Sequence, residues 1–270
     1  MNFILSPSDI TDDYLILKPQ TQNIANKVEG FSNAQSRTIS QRPADNLVIL
    51  DWDDTLLPTH WIQGELYKNN QENEPAYQNI RQKHPQLFEN LQNAVQNLIA
   101  TLAKNAQIII VSNAGIPWLT RASNIFYPGI ESFKKHYNVQ TISARVYKNN
   151  EQRYPNNPNL WKVELFEKIA LDWKRKCTQT NQRNAPTNQL PKYNVISIGD
   201  GESERGALKN LPSSPDWNLK SIKFVDKPAP QQVYTQILHL TKQFPHLLSV
   251  DGDLDTILRN KQEPPTSACH

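Results

Sequence analysis

The stretch LVILDWDDT, residues 47–55, decides the fold of this chain. It opens with a short continuous apolar run, which is typical of a strand buried on both faces in a parallel sheet. Such a strand cannot hold a cluster of carboxylates in its middle, because burying an unpaired charge costs too much free energy. We therefore predict that Asp51, Asp53 and Asp54 lie just past the carboxyl end of this strand, where ligands bind in open α/β sheets.

Further strands and helices alternate along the chain. Besides the first strand, strands are predicted over residues 107–111, 139–146, 194–198 and 221–225. Helices are predicted from residue 87 to about 102, over 117–137 with a break near 128, from 161 to about 177, and over 230–246. A polar loop is predicted over residues 178–192. This alternation predicts an α/β fold with a central parallel sheet and right-handed crossovers.

The segments outside this alternation set the domain boundaries. Residues 1–45 are predicted to be an N-terminal arm followed by a polar linker, and 46–260 to be one domain. Residues 56–61 indicate a turn and a short hairpin, and a small polar insertion with one helix follows at about 61–85. Residues 261–270 are predicted to be a loose tail.

Composition excludes several classes of protein. A formal net charge of +3 at pH 7 is too small to indicate binding to nucleic acid or to an anionic membrane. Cys177 and Cys269 are the only cysteines, so no disulfide framework is implied and a reducing compartment fits. The amino terminus lacks the basic residues of a classical signal peptide, and no apolar stretch is long enough to predict a transmembrane segment. The sequence does not indicate an oligomeric state.

Polar side chains end three of the predicted strands and point to a cation site. Asp51 and Asp53 are two positions apart, so in extended backbone their side chains leave on the same side. Converging carboxylates repel each other unless a cation lies between them, and Mg²⁺ is the natural candidate. Ser112 and Asp200 end two further strands, and we expect Asp200 to complete the metal site.

These residue types suit phosphoryl transfer. Asp51 can attack a phosphorus atom as a nucleophile, and Asp53 can protonate the leaving oxygen and then take a proton from water. Ser112 supplies a hydroxyl for the oxygens of the transferring group, and Lys162, at a predicted helix start, supplies an ammonium. Other lysines near that helix start are Lys148, Lys168 and Lys174.

The same motifs resemble those of the haloacid dehalogenase (HAD) superfamily of aspartate-nucleophile phosphatases. Its first motif, DxDx[T/V] after an apolar strand, is matched by residues 51–55. Its second, a strand ending in Ser or Thr, is matched by Ser112, and its third, a lysine at a helix start, by Lys162. Its fourth, GDxxx[D/E], is matched by residues 199–204, with Glu204 where Asp is more frequent.

The resemblance spans about residues 47–226 and carries several implications. It implies a three-layer Rossmann-like sandwich with a minimal cap, and Mg²⁺ held by Asp51, Asp53 and Asp200. Because the second aspartate marks the phosphatases of this superfamily, the resemblance implies hydrolysis of phosphate esters. The residues expected to bind substrate or to support the site are Thr55, Asn113 and Glu204.

Longer strings narrow the resemblance further. DWDDTLLPT, ISAR and PNNPNLWKVELF are similar to a microbial subgroup that includes bacterial effectors acting on phosphotyrosine. The subgroup implies a phosphoprotein substrate, and a location in the cytoplasm or, for an effector, in a host cell. The gap between residues 146 and 162 is too short for a cap domain, which predicts an open site. The alternatives are a small-metabolite phosphatase, a phosphoryl transferase, or a catalytically weak module that binds a phosphopeptide or another partner.

Two tryptophans near the predicted site have open roles. Trp52 and Trp118 fit either an aromatic wall for a substrate ring or core packing. The histidines show no spacing typical of metal ligands, so a zinc site is not expected.

Overall fold

The structure is a computed structural model that describes residues 45–68, 73–181 and 192–258. The predicted arm, almost all of the predicted linker and the predicted tail lie outside these residues, and so does most of the loop expected at 178–192. The described residues cover almost all of the domain predicted at 46–260.

A six-stranded, all-parallel sheet forms the centre of the molecule, in the order β3-β2-β1-β4-β5-β6. The strands are β1 (Asn46–Leu50), β2 (Gln107–Ser112), β3 (Gln140–Ser143), β4 (Tyr193–Gly199), β5 (Trp217–Lys223) and β6 (Leu254–Ile257). From β1 the chain first builds outward through β2 and β3, and then returns to place β4 on the other side of β1. The topological switch point therefore lies between β1 and β4, which is where ligands bind in this class of sheet.

Helices connect the strands and cover both faces of the sheet. They are α1 (Thr59–Lys68), α2 (Glu74–Lys83), α3 (Pro85–Ala103), α4 (Ile116–Phe126), α5 (Ile130–His136), α6 (Asn150–Arg153), α7 (Trp161–Asn181), α8 (Glu202–Lys209) and α9 (Pro230–Ser249). Proline occupies the first turn of α2, α3, α4 and α9, where its missing N–H costs no hydrogen bond. Asn73 caps α2 by accepting a hydrogen bond from the backbone N–H of Ala76 at 3.0 Å.

The apolar side chains of strand β1 contribute alternately to two hydrophobic clusters. Val48 and Leu50 lie in the cluster that includes α3 and α9, whereas Leu47 and Ile49 lie in the cluster that includes α7 and α8. All five residues of β1 are buried, as expected for a strand covered on both faces. These layers confirm the predicted α/β fold with a central parallel sheet, consistent with a three-layer Rossmann-like sandwich. In the described part of the chain, no helix is both long and apolar enough to cross a membrane.

Several local predictions were wrong. The expected hairpin at 56–61 is instead a turn followed by the start of α1 at Thr59, so the insertion contains two helices rather than one. The helix from Trp161 continues to Asn181, past the expected loop start at 178. The predictions missed β6 and α8 altogether, and the third strand already ends at Ser143.

Candidate active site

Three parallel strands bring their carboxyl ends to one edge of the sheet. In the register of the sheet Leu50 pairs with Ile110 of β2 and with Ile198 of β4. The backbone N–H of Asp51 donates to the carbonyl of Ile198 at 2.9 Å, which extends this pairing one residue past β1. Asp51, Ser112 and Asp200 therefore end neighbouring strands beside the switch point, as the sequence predicts.

Lys162 joins this edge from the first turn of α7. Its Nζ donates to Oδ1 of Asp51 at 2.7 Å and also to Oε1 of Glu204. Lys162 is 1% exposed and Asp51 is 6% exposed. The other lysines considered form ion pairs elsewhere: Lys148 with Glu164, Lys168 with Asp172 and Lys174 with Asp216. Lys162 is thus the lysine that reaches the predicted nucleophile.

The ammonium of Lys162 bonds to the two buried carboxylates of Asp51 and Glu204, whose pKa values are shifted in opposite directions. Burial acts to lower the pKa of Lys162, but the adjacent carboxylates of Asp51 and Glu204 outweigh burial and hold it above its usual value. For Glu204 the contacts with Lys162 outweigh burial, and its pKa is lowered. Burial raises the pKa of Asp51 well above its usual value, with Lys162 opposing and the charge of Glu204 adding to it. Asp51 is therefore the carboxylate whose charge is incompletely balanced.

Glu204 is fixed at the start of α8 by several donors. Its Oε2 accepts the backbone N–H of Gly201 at 3.0 Å, and its Oε1 accepts the hydroxyl of Ser203 at 2.6 Å in addition to Lys162. The side chain lies directly against Gly199, where a Cβ atom would come within 2.5 Å of Cγ of Glu204. Glu204 was predicted as a supporting residue, and its contacts make it the second counter-ion of Lys162.

Asp53 accepts three side-chain hydrogen bonds. Its Oδ1 accepts the hydroxyl of Thr59 at 2.7 Å and the indole N–H of Trp118 at 2.8 Å. Its Oδ2 accepts the hydroxyl of Ser112 at 2.8 Å. Because all three partners donate, these contacts suit a carboxylate that accepts at both oxygens. Of these donors, only Ser112 was predicted as a site residue.

Asp200 lies beside the loop that follows β1. The hydroxyl of Thr55 accepts the backbone N–H of Asp200 at 3.1 Å and donates to its Oδ1 at 3.3 Å. Lys223 contacts the backbone carbonyl of Asp200 at 2.6 Å, not its carboxylate. Burial, together with the charges of Glu204 and Asp54, raises the pKa of Asp200 to about 7. Thr55 thus links the first predicted motif to the fourth.

The donor set is compatible with Mg²⁺. Within residues 45–68, 73–181 and 192–258, no three His, Cys, Asp or Glu side chains are grouped closely enough to hold a metal ion by themselves. Mg²⁺, however, is commonly bound by one or two carboxylates together with waters and phosphate oxygens. Asp51 and Asp200 supply such a pair. Burial is the main cause of their raised pKa values, and the neighbouring carboxylate charges that add to it favour a cation. The side chain of Asp53 is engaged with three hydrogen-bond donors, so both of its oxygens already have partners.

Two asparagines hold the segment that leads into α7. Asn113, predicted as a site residue, donates to the carbonyl of Pro158 at 3.3 Å. Asn150 is fully buried and donates to the carbonyls of Ala144 and Trp161, at 3.0 and 2.9 Å, which fixes the helix start that carries Lys162. No sequence signal distinguishes Asn150, because asparagine is common in polar segments.

The two tryptophans take different roles. Trp52 is 1% exposed and packs edge-on against Tyr127 with ring centroids 6.0 Å apart, so it belongs to the core. Trp118 is half-buried in the first turn of α4, where its indole N–H reaches Asp53. The sequence placed Trp118 near the site, but a tryptophan that donates a hydrogen bond has no distinguishing sequence signal.

No family model, curated protein or solved structure matches this chain. The likeness to the HAD superfamily therefore rests on the motifs alone. The fold and the site define an α/β protein with an acidic cluster (Asp51, Asp53, Asp200 and Glu204) beside the topological switch point of a parallel sheet. The buried Lys162 lies next to this cluster.

Proposed function

We propose that this chain is a Mg²⁺-dependent phosphatase of the HAD type, which hydrolyses phosphate monoesters through an aspartyl phosphate on Asp51. The main support for the proposal is the 2.7 Å hydrogen bond between Asp51 and Lys162, which lie 111 residues apart in the sequence. Next to this pair, Ser112 contacts Asp53. A carboxylate nucleophile, an acid–base group, a hydroxyl and a fixed ammonium are the groups that such a reaction needs.

The reaction has two halves. In the first, the Oδ2 atom of Asp51 attacks phosphorus, the bond from phosphorus to the leaving oxygen breaks, and Asp53 gives that oxygen a proton. In the second, Asp53 takes a proton from water while the water oxygen attacks phosphorus and the bond to Asp51 breaks. Oδ1 of Asp51 bonds to Lys162, so Oδ2 is the oxygen that remains for attack.

The remaining groups stabilise negative charge on the transferring phosphoryl group. Lys162 is held between Asp51 and Glu204, and its ammonium stays charged near the attacked phosphorus. Ser112 donates to Asp53 in this structure, and its hydroxyl would turn to an oxygen of the phosphoryl group once substrate binds. When bound, Mg²⁺ would be held by Asp51 and Asp200 and would supply further positive charge to the oxygens of the phosphoryl group.

The proposed substrates are phosphoproteins, with phosphotyrosine the first choice. The chain between β1 and α3 contains two short helices, and the chain between β3 and α7 contains α6 and 3₁₀ turns. The described parts of these segments are too short to form a cap domain, which favours a large substrate. This assignment is tested by comparing kcat/KM for phosphotyrosine peptides with kcat/KM for sugar phosphates and nucleotides. A strong preference for the small metabolites would contradict the phosphoprotein assignment.

The nucleophile is tested by Asp51→Asn. We expect hydrolysis of 4-nitrophenyl phosphate with Mg²⁺ to fall by on the order of 10⁴-fold, because an amide oxygen cannot form the covalent intermediate. Asp172→Asn is the matched control. Asp172 lies on α7, where its carboxylate forms an exposed ion pair with Lys168. Asp172→Asn should keep most of the activity, and EDTA should abolish it in both the wild type and this control.

Four outcomes would contradict the proposal. Retained activity in Asp51→Asn would show that Asp51 is not the nucleophile. Hydrolysis that is insensitive to EDTA would exclude a metal-dependent reaction. Tight binding of a phosphotyrosine peptide without any hydrolysis would point to a binding module, and transfer of the phosphate to an acceptor other than water would point to a transferase.

A further inference from the structure

The hydrogen bonds of Asp53 are distributed unevenly over its two oxygens. Oδ1 receives two donors, the hydroxyl of Thr59 at 2.7 Å and the indole N–H of Trp118 at 2.8 Å. Oδ2 receives the hydroxyl of Ser112. The proposed reaction uses Asp53 and Ser112, but it assigns no task to Trp118.

Trp118 is the most rigid of the three donors. Its ring packs against Tyr77 of α2 with centroids 5.5 Å apart, and Tyr77 in turn packs against Phe126 of α4 at 6.4 Å. A hydroxyl can rotate toward another acceptor, whereas an indole N–H held by ring packing points in one direction only and cannot accept. The contact with Trp118 therefore fixes the plane and direction of the Asp53 carboxylate.

We propose that Trp118 is a positioning residue that anchors Oδ1 of Asp53, so that Oδ2 is the atom that exchanges the proton with the leaving group and with water. This inference rests on the proposed phosphatase reaction. When Asp51 bonds to phosphorus and the bond to the leaving oxygen breaks, the proton on Oδ2 of Asp53 moves to that oxygen. Within the described residues Ser112 is the one donor on Oδ2, so its turn toward the phosphate leaves Oδ2 open for this transfer.

The effect of losing this anchor should depend on the leaving group. Protonation matters most for a leaving oxygen that is a strong base, and little for one that departs readily as an anion. A loss of positioning should therefore affect phenyl phosphate much more than 4-nitrophenyl phosphate. A general structural defect would lower the rates for both substrates alike.

Trp118→Phe tests the proposal, because it removes the N–H and keeps an aromatic ring. We expect kcat/KM for phenyl phosphate to fall about 10²-fold and kcat/KM for 4-nitrophenyl phosphate by less than about threefold. This ratio reports the steps up to release of the leaving group and excludes the later attack of water, which is the same for both substrates. Trp61→Phe is the matched control. Trp61 lies in α1 and packs against His84 and Phe88, with centroids at 5.2 and 6.3 Å, and should show no such selectivity.

Variants of Thr59 provide an independent check on the same oxygen. Thr59→Val removes the other donor to Oδ1 and should show the same selective loss for phenyl phosphate, whereas Thr59→Ser keeps the hydroxyl and should restore the rate. An equal loss for both substrates in Trp118→Phe, or no loss, would overturn the positioning role while leaving the phosphatase proposal standing. A wild-type protein that hydrolyses neither substrate would overturn the phosphatase proposal and this inference with it.

Discussion

Because Gly199 has no side chain, it leaves the space that the side chain of Glu204 occupies in the site. A Cβ atom at this position would lie 2.5 Å from Cγ and 2.9 Å from Cδ of Glu204. Glu204 cannot easily move away, because Gly201, Ser203 and Lys162 all bind its carboxylate. The glycine of the fourth motif is therefore required by the neighbouring glutamate and not by its own backbone conformation.

Gly199→Ala should lower both stability and activity. We expect the free energy of unfolding to fall by about 1–3 kcal/mol, because the added methyl group overpacks a fixed contact. Hydrolysis should also fall, because displacing Glu204 leaves Lys162 with one counter-ion. Urea unfolding and kcat for 4-nitrophenyl phosphate measure the two effects.

Gly206→Ala is the control for this substitution. Gly206 lies in α8, and a Cβ atom there would meet nothing within 4 Å. Alanine favours a helix over glycine by roughly 0.5–1 kcal/mol, so this variant should be as stable as the wild type or more stable. Equal stability of the Gly199→Ala and Gly206→Ala variants would contradict the role given to the contact between Gly199 and Glu204.

The sequence predicted single residues best where they end an apolar strand. Asp51, Ser112 and Asp200 were found in this way, because a charge or hydroxyl after a buried run must lie at the edge of the sheet. The hydrogen bond from Trp118 to Asp53 depends on how α4 packs against the loop after β1. Such a contact joins residues 65 positions apart, and no local pattern predicts it.

At the level of elements, three buried asparagines link the amino-terminal ends of β1, β4 and β5. Asn194 donates to Oδ1 of Asn46 at 2.7 Å, and Asn218 donates to Oδ1 of Asn194 at 3.2 Å. The three residues pair with one another in the register of the sheet. A one-residue shift of β4 would break both side-chain bonds, and a shift of β1 or β5 would break one, so this ladder favours a single register.

Asn194→Leu should be strongly destabilising. It leaves Oδ1 of Asn46 without its partner in a buried place, at about 1–3 kcal/mol. It also removes one acceptor of the Asn218 amide, which keeps its hydrogen bond to Asp251. We expect urea unfolding to show a loss of roughly 1–3 kcal/mol. Asn210→Leu is the control, because Asn210 makes an exposed hydrogen bond to the carbonyl of Gly206 and should cost about 0.5 kcal/mol or less. Similar losses in the two variants would exclude a special contribution of the ladder.

The sequence predicted the interior strands better than the short or polar parts of the fold. β1, β2 and β4 were predicted because strands buried on both faces read as continuous apolar runs. β6 is a four-residue edge strand, Leu254–Ile257, with apolar residues only at its two ends, and so short a pattern is also common in loops. α7 extends to Asn181 through polar residues, because once a helix has begun its packed face can carry a polar last turn.

For the whole molecule, the charge of the acidic cluster makes stability depend on pH. Burial raises the pKa of Asp200 to about 7 and that of Asp51 well above its usual value, whereas an unfolded aspartate titrates near ~3.9. Between these values the folded protein binds more protons than the unfolded chain, so the free energy of unfolding falls as pH rises from about 4 to 7. Carboxylates with lowered pKa values, such as Glu164 at about 2, act in the opposite direction, but only below their ordinary value, near ~4.3 for glutamate.

A cation bound at the acidic cluster should restore the stability that is lost as the pH rises. Mg²⁺ that binds only the folded protein adds about 2.7 kcal/mol when present at 100 times its Kd. We therefore expect Mg²⁺ to raise Tm clearly at pH 7.5 and little at pH 5, where protonated Asp200 binds cations poorly. NaCl at equal ionic strength controls for screening, and Asp200→Asn should flatten the pH dependence and remove most of the Mg²⁺ effect. If stability instead rose steadily from pH 4 to 7, or if Mg²⁺ raised Tm equally at both pH values and in Asp200→Asn, the cluster would not be the place where Mg²⁺ binds.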